Sequence, residues 1–133
     1  MRHALRTAIK QGDKQALELL GYRADIQYTI ENITYTQVVT IGQALEFSFD
    51  FVAEQEGQVM IDYVVYFLKK DGTYTHKTFK IKDTYLEQGQ RIMINKKHPF
   101  RVMSTKKMYP GIHRIALQIN GILQEEYQFD LVV

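Results

Sequence analysis

Ala44-Leu45-Glu46-Phe47-Ser48-Phe49-Asp50-Phe51-Val52 alternates apolar and polar side chains along its length. Successive residues of a strand point to opposite faces. The period of two therefore puts Leu45, Phe47, Phe49 and Phe51 on one face and Glu46, Ser48 and Asp50 on the other. A helix would scatter the same side chains around its axis. The stretch reads as a half-buried strand, with its phenylalanines in a core.

The same period spreads outward in both directions. Upstream, Ile26, Tyr28 and Ile30 alternate with polar partners. Downstream, Val59 to Lys69 carries Ile61, Tyr63, Val65 and Phe67 on one side. Lys70-Asp71-Gly72-Thr73 holds an Asp-Gly hairpin signal, and Tyr74 to Ile81 is the return strand. Gln90 to Asn95 is a further short strand. Ile112 to Ile119 alternates through Ile115, Leu117 and Ile119. Asn120-Gly121 then turns the chain into Ile122 to Val132. About seven strands at roughly 8–12-residue spacing predict an all-β, immunoglobulin-like antiparallel β-sandwich, with a small barrel as the alternative. The sequence has no cysteine and no tryptophan, so this is not an antibody-type domain pinned by a disulfide.

The first 21 residues follow another rule. Ala4, Leu5, Ala8 and Ile9 are spaced for one short helix, and Ala16, Leu17, Leu19 and Leu20 for a second. Gly12, Asp13 and Gly21 supply the stops and the cap. A helical hairpin over 1–21 is expected, followed by the sandwich over 22–133. Helices this short are marginal alone, so the pair must pack on the sandwich or end a longer helical stack. The linker lacks a Ser/Gly run, which favours a docked hairpin.

The 133 residues are 45% hydrophobic and 24% charged, enough for one domain with a core. The lack of cysteine excludes a disulfide scaffold, a thiolate zinc site and a cysteine nucleophile. No apolar run approaches the ~20 residues of a membrane span, and no apolar h-region follows the basic start. A cytoplasmic protein without a membrane partner is expected.

Other constellations carry little chemistry. Glu54 and Glu56 lie at a turn with no apolar pocket to shift a carboxyl pKa. His3, His76, His98 and His113 lack metal-ligand spacing. Ser48 and Ser104 lack a nucleophile elbow, and there is no glycine-rich phosphate loop. No cofactor, metal site or catalytic residue is expected in this chain.

The charge is more informative than its formal total of +2. Between Lys96 and Arg114 stand Lys96, Lys97, Arg101, Lys106, Lys107 and Arg114, with no acidic residue among them. The rest of the chain is mildly negative. This segment reads mostly as loop, with Phe100, Met108 and Tyr109 among the cations, Pro110-Gly111 shaping a tip, and His98 and His113 nearby. Two readings are open: a solvated loop, or a surface whose cations hold phosphates while Met108 and Tyr109 meet a groove.

Several stretches resemble a known family. Arg2-His3-Ala4-Leu5-Arg6, Lys10-Gln11-Gly12-Asp13 and Ala16-Leu17-Glu18-Leu19-Leu20-Gly21-Tyr22 resemble the last helical repeat of bacterial AlkC-like DNA alkylation repair proteins. Tyr66-Phe67-Leu68-Lys69-Lys70-Asp71-Gly72 with His76-Lys77-Thr78-Phe79-Lys80 is similar to their central hairpin. Lys96-Lys97-His98-Pro99-Phe100, Tyr109-Pro110-Gly111-Ile112-His113-Arg114 and Gln118-Ile119-Asn120-Gly121 are similar to their closing segment.

The resemblance implies glycosylases that excise N-alkylated purines on a HEAT-like solenoid. Some members carry a C-terminal immunoglobulin-like domain that clamps the duplex and reaches its minor groove. The solenoid and its catalytic carboxylate are not in this sequence, so the chain is expected to be a C-terminal piece without activity of its own. The implied role is a DNA-clamping accessory domain. Lys96, Lys97, Arg101, Lys106, Lys107, Tyr109 and Arg114 are the expected contacts, double-stranded DNA (weakly bound alone) and the solenoid the partners. The contact residues are read from charge and loop position. The alternative is a structural or protein-interaction sandwich that caps a helical array through Ala4, Leu5 and Leu17, without DNA affinity.

Overall fold

The computed structural model describes residues 21–100 and 108–133, and these form eight strands and no helix. They are β1 (Tyr28–Tyr35), β2 (Val38–Thr40), β3 (Ala44–Ala53), β4 (Gly57–Leu68), β5 (Tyr74–Leu86), β6 (Arg91–Pro99), β7 (Gly111–Ile119) and β8 (Ile122–Val132). One sheet has the order β1-β3-β6 and the other β2-β8-β7-β4-β5. The chain crosses from one sheet to the other between β1 and β2, and β2 lies parallel to β8. The expected hairpin over 1–21 lies, Gly21 apart, outside the described residues.

The alternation of β3 is borne out in burial: Leu45, Phe47, Phe49 and Phe51 are buried. They meet Ile61, Tyr63 and Val65 of β4, Ile115 and Leu117 of β7, and Phe129 and Leu131 of β8 in one core between the sheets. No disulfide pins the layers. Rings do so instead. Phe47 meets Tyr63 edge-on at 5.1 Å, Tyr63 stacks on Phe79 at 5.1 Å, and Phe79 meets His98 at 4.6 Å. Phe100 continues the chain of rings to Phe129 at 5.6 Å. Such contacts each add about 0.5–1.5 kcal/mol beyond area burial.

Three details differ from the sequence expectation. There are eight strands, because β2 is only three residues long and carries too little pattern to read. β5 runs on to Leu86, beyond Ile81, because a bulge opposite Ile61/Asp62 breaks its period of two. β6 continues through Lys96-Lys97-His98-Pro99, a run expected as loop. β6 is an edge strand, and an edge tolerates both lysine and a proline that donates no hydrogen bond.

The five-stranded sheet also buries residues on its outer face. Met60, Val64 and Ala116 are buried there, apart from the main core, and Tyr22 packs with Met60. Tyr22 bridges to Gln58, and its hydroxyl donates to Asp83. Burial and the adjacent Asp83 carboxylate raise the Tyr22 pKa, so the hydroxyl keeps its proton.

Candidate nucleic-acid interface

Strand direction separates two ends of the sandwich. One end gathers the 41–43 turn, the β4–β5 turn, Phe100 and the residues from Met108 to Gly111. Gly42 N donates to Phe100 O at 2.7 Å, and Phe100 meets Phe67 at 6.2 Å. A Cβ on Gly111 would lie 2.6 Å from Leu68 Cδ2, so these two chains touch. The opposite end gathers residues 21–27 with the β3–β4, β5–β6 and β7–β8 turns. There Glu54 N donates to Gln27 O at 3.1 Å and Gly89 N to Ala53 O at 2.6 Å.

Charge follows this division. The first end carries Lys69, Lys70, Lys77, Lys96, Lys97 and Arg114, against Glu46, Asp71, Glu126 and Asp130. The opposite end carries Asp25, Glu54, Glu56, Asp83 and Glu87, with Arg23, Lys82 and Arg91 as cations, and Arg91 is itself paired with Glu31 and Asp50. Lys96, Lys97 and Arg114 of the basic segment therefore share an end with lysines from a separate hairpin, which the linear reading did not join to them. The signal was present as Lys69-Lys70 and Lys77, but only the antiparallel pairing of β4 with β5 brings them to this end.

The expected contact residues fall into distinct environments. Arg101, Lys106 and Lys107 lie outside the described residues. Lys96 and Lys97 stand on β6, beside a shallow groove lined by Thr34, Thr36, Ser48 and Asn95. Lys97 Nζ pairs with Glu46 at 3.0 Å, with both side chains well exposed. An exposed pair of this kind contributes about 0–1 kcal/mol, so a phosphate can displace the carboxylate. No ion pair involves Lys96 among the described residues. Tyr109 is partly exposed at the start of the run into β7.

Arg114 is held differently. Its guanidinium lies 5.2 Å from the Tyr66 ring and 4.7 Å from the Tyr74 ring, and pairs with Glu126 at 3.1 Å. It braces β7 against β4, β5 and β8. The neighbouring apolar and imidazole groups are core. Phe100 and His113 are each 1% exposed, and Met108 packs against the main cluster, so none forms an exposed tip. His98 Nδ1 shares a hydrogen bond with the Tyr63 hydroxyl at 2.9 Å, beneath the same end. Burial pushes the Tyr63 hydroxyl up to about 12. Among the described residues no three His, Asp or Glu side chains come together as a metal site. No described helix is long and apolar enough to cross a membrane.

This arrangement has relatives. The chain is 33% identical to the uncharacterized protein YhaZ of Bacillus subtilis (strain 168) over 98% of its length, and spans 37% of that protein. The alkylpurine DNA glycosylase AlkC of Pseudomonas fluorescens, solved bound to DNA containing an abasic site analogue, superposes over 99% of this chain with a TM-score of 0.90. The two are 32% identical, and the chain spans 38% of AlkC. A β-glucosidase of Listeria innocua shares the fold alone, with a TM-score of 0.70 at 9% identity over 84% of this chain and 17% of the enzyme. Residues 29–133, from β1 to the last residue, match the family model of the C-terminal Ig-like domain of the uncharacterised protein YhaZ, and to that family the chain belongs.

Proposed function

We propose that this domain is the DNA-clamping accessory module of an alkylpurine DNA glycosylase, and that its basic end meets the duplex backbone. The observation that carries the reading is the gathering of cations at the end opposite residues 21–27. A helical solenoid ahead of Met1, ending in the hairpin over 1–21, would join the sandwich near its acidic end. The basic end would then face DNA. The likeness to AlkC supports DNA as the partner and supports placing the excision chemistry outside this chain.

In this reading Lys96 and Lys97 hold phosphates from β6, and Arg101, Lys106 and Lys107 do so from the segment that follows. Tyr109 sits beside them towards the minor groove. Arg114 acts mainly by holding Tyr66 and Tyr74 in place. About four phosphate contacts give a log–log salt slope of roughly −3.6. Fluorescence anisotropy of the 133-residue chain with labelled duplex DNA across a salt series measures this. The paired change Lys106→Glu and Lys107→Glu should weaken binding and flatten the slope. A salt-independent constant, or no binding above background, overturns the reading in favour of a sandwich that only caps a helical array.

A further inference from the structure

We infer that the β4–β5 hairpin is a second phosphate-contacting element, in which Lys69, Lys70 and Lys77 grip the DNA backbone beside the strand-β6 contacts. The inference rests on the DNA reading above and names a hairpin that the charge count along the sequence did not single out.

The hairpin tip is built to hold its lysines in one place. Lys69 N donates to Thr73 O at 2.8 Å and Gly72 N to Lys69 O at 3.1 Å, closing the turn. Asp71 accepts from Thr73 N at 3.0 Å and from Thr73 Oγ1 at 2.6 Å. Those bonds lower the Asp71 pKa and keep it a carboxylate, so the tip carries one negative charge against two lysines. Gly72 has φ +85°, which the turn requires and which other residues resist. Lys69 and Lys70 are exposed, and neither has an ion pair among the described residues.

Lys77 extends the patch along the edge. β5 closes its sheet, and Lys77 faces the same side as Phe79, with its ammonium 5.5 Å from the Phe79 ring. That ring touches His98 at 4.6 Å, so β5 and β6 stand side by side at this margin. Lys77 of β5 and Lys96 of β6 therefore flank one margin of the sandwich, and neither has an ion pair with a carboxylate among the described residues. An inward-leaning lysine on an edge strand also blocks edge-to-edge pairing. That role explains Lys77 alone. It does not explain the two exposed lysines at the adjoining turn, which outnumber the single Asp71 carboxylate there, and a row of cations in excess over carboxylates matches a polyanion whose charges are regularly spaced.

The base of the hairpin is rigid. Tyr74 Oη donates to Ile112 O at 2.7 Å, and Arg114 lies over Tyr66 and Tyr74 on the outer face. A rigid cationic hairpin beside a second cationic strand can hold two stretches of phosphate without ordering a loop on binding.

The test uses the 133-residue chain and a labelled DNA duplex, with the triple variant Lys69→Ala, Lys70→Ala, Lys77→Ala. Added to the four contacts above, these three would steepen the wild-type slope from roughly −3.6 to about −6.3, and the triple variant should return it to near −3.6, with a loss near a hundredfold at ~0.15 M salt. Lys82→Ala, on the other half of the same strand, is the control and should leave slope and affinity unchanged. Circular dichroism and thermal melting check that the variants stay folded. If wild type binds and the triple variant has the same slope, the hairpin inference is overturned while the DNA reading stands. If Lys82→Ala costs as much per charge, the effect is general electrostatics and the hairpin assignment is again overturned. If wild type binds anionic lipid vesicles but not duplex DNA, both readings fall.

Discussion

His113 shows how burial alters a residue that sequence offers as a surface cation. Its Nδ1–H donates to Gly111 O at 3.1 Å, and its ring lies 5.6 Å from Phe129. Desolvation lowers its pKa, with the Gly111 bond and the Asp130 charge acting in the opposite direction. The native state therefore binds fewer protons than the unfolded chain, whose histidine titrates near ~6.5. The stabilisation from this site is present above that pH and is lost as pH falls towards the folded-state value. Denaturant midpoints should drop between about pH 7 and pH 5, and His113→Phe should flatten that drop; parallel curves would refute it. Gly111 itself has φ +138° and its missing Cβ makes room for Leu68. Gly111→Ala forces a contact of 2.6 Å with Leu68 Cδ2 in a backbone region that alanine resists. A loss of about 1–3 kcal/mol is expected in chemical denaturation.

At the level of elements, what the sequence displays depends on how many faces of a strand meet water. β3 has one wet face, so its residues announce both strand and core. β6 shows the reverse. Its Lys96-Lys97-His98-Pro99 run hides an edge strand, because an edge asks for charge and forgives proline. Of the candidate contacts on described residues, Lys96 and Lys97 are proposed from charge alone, whereas the pinning of Arg114 between two tyrosines is not legible in the sequence. That brace needs Tyr66, Tyr74 and Glu126 from three strands, and only pairing assembles them. Asn120 is a similar case. Its place in an Asn-Gly turn is plain, and its φ of +46° suits that turn. Its second task is not visible in sequence. Asn120 Oδ1 accepts from Met60 N at 2.7 Å, and Nδ2 donates to Arg23 O at 2.9 Å and Gln58 O at 3.1 Å. One side chain thus ties the β7–β8 turn to β4 and to the segment ahead of β1. Asn120→Ala would strand a buried amide and two carbonyls, and a loss of about 2–4 kcal/mol is expected from equilibrium unfolding. A loss below ~1 kcal/mol would mean that water replaces these bonds.

Across the whole molecule, separation of charge matters more than its sum. A net +2 describes neither end of this sandwich. The β4–β5 turn, the end of β6 and the start of β7 collect cations, while the turns beside residues 21–27 collect carboxylates. A polyanion entering this field is attracted to one end and repelled from the other, within about a Debye length of ~8–10 Å at moderate salt. The absence of cysteine makes the orientation directly measurable, since one introduced thiol can be labelled without background. Thr75 and Gln88 are both exposed and lie at opposite ends of β5 and the turn after it. A fluorophore on Thr75→Cys should change intensity on titration with duplex DNA, and one on Gln88→Cys should not. The Thr75→Cys response should vanish in high salt. Equal changes at the two positions would mean that DNA meets this domain without the orientation that its charge distribution dictates, and the clamp would have to be rebuilt from another face.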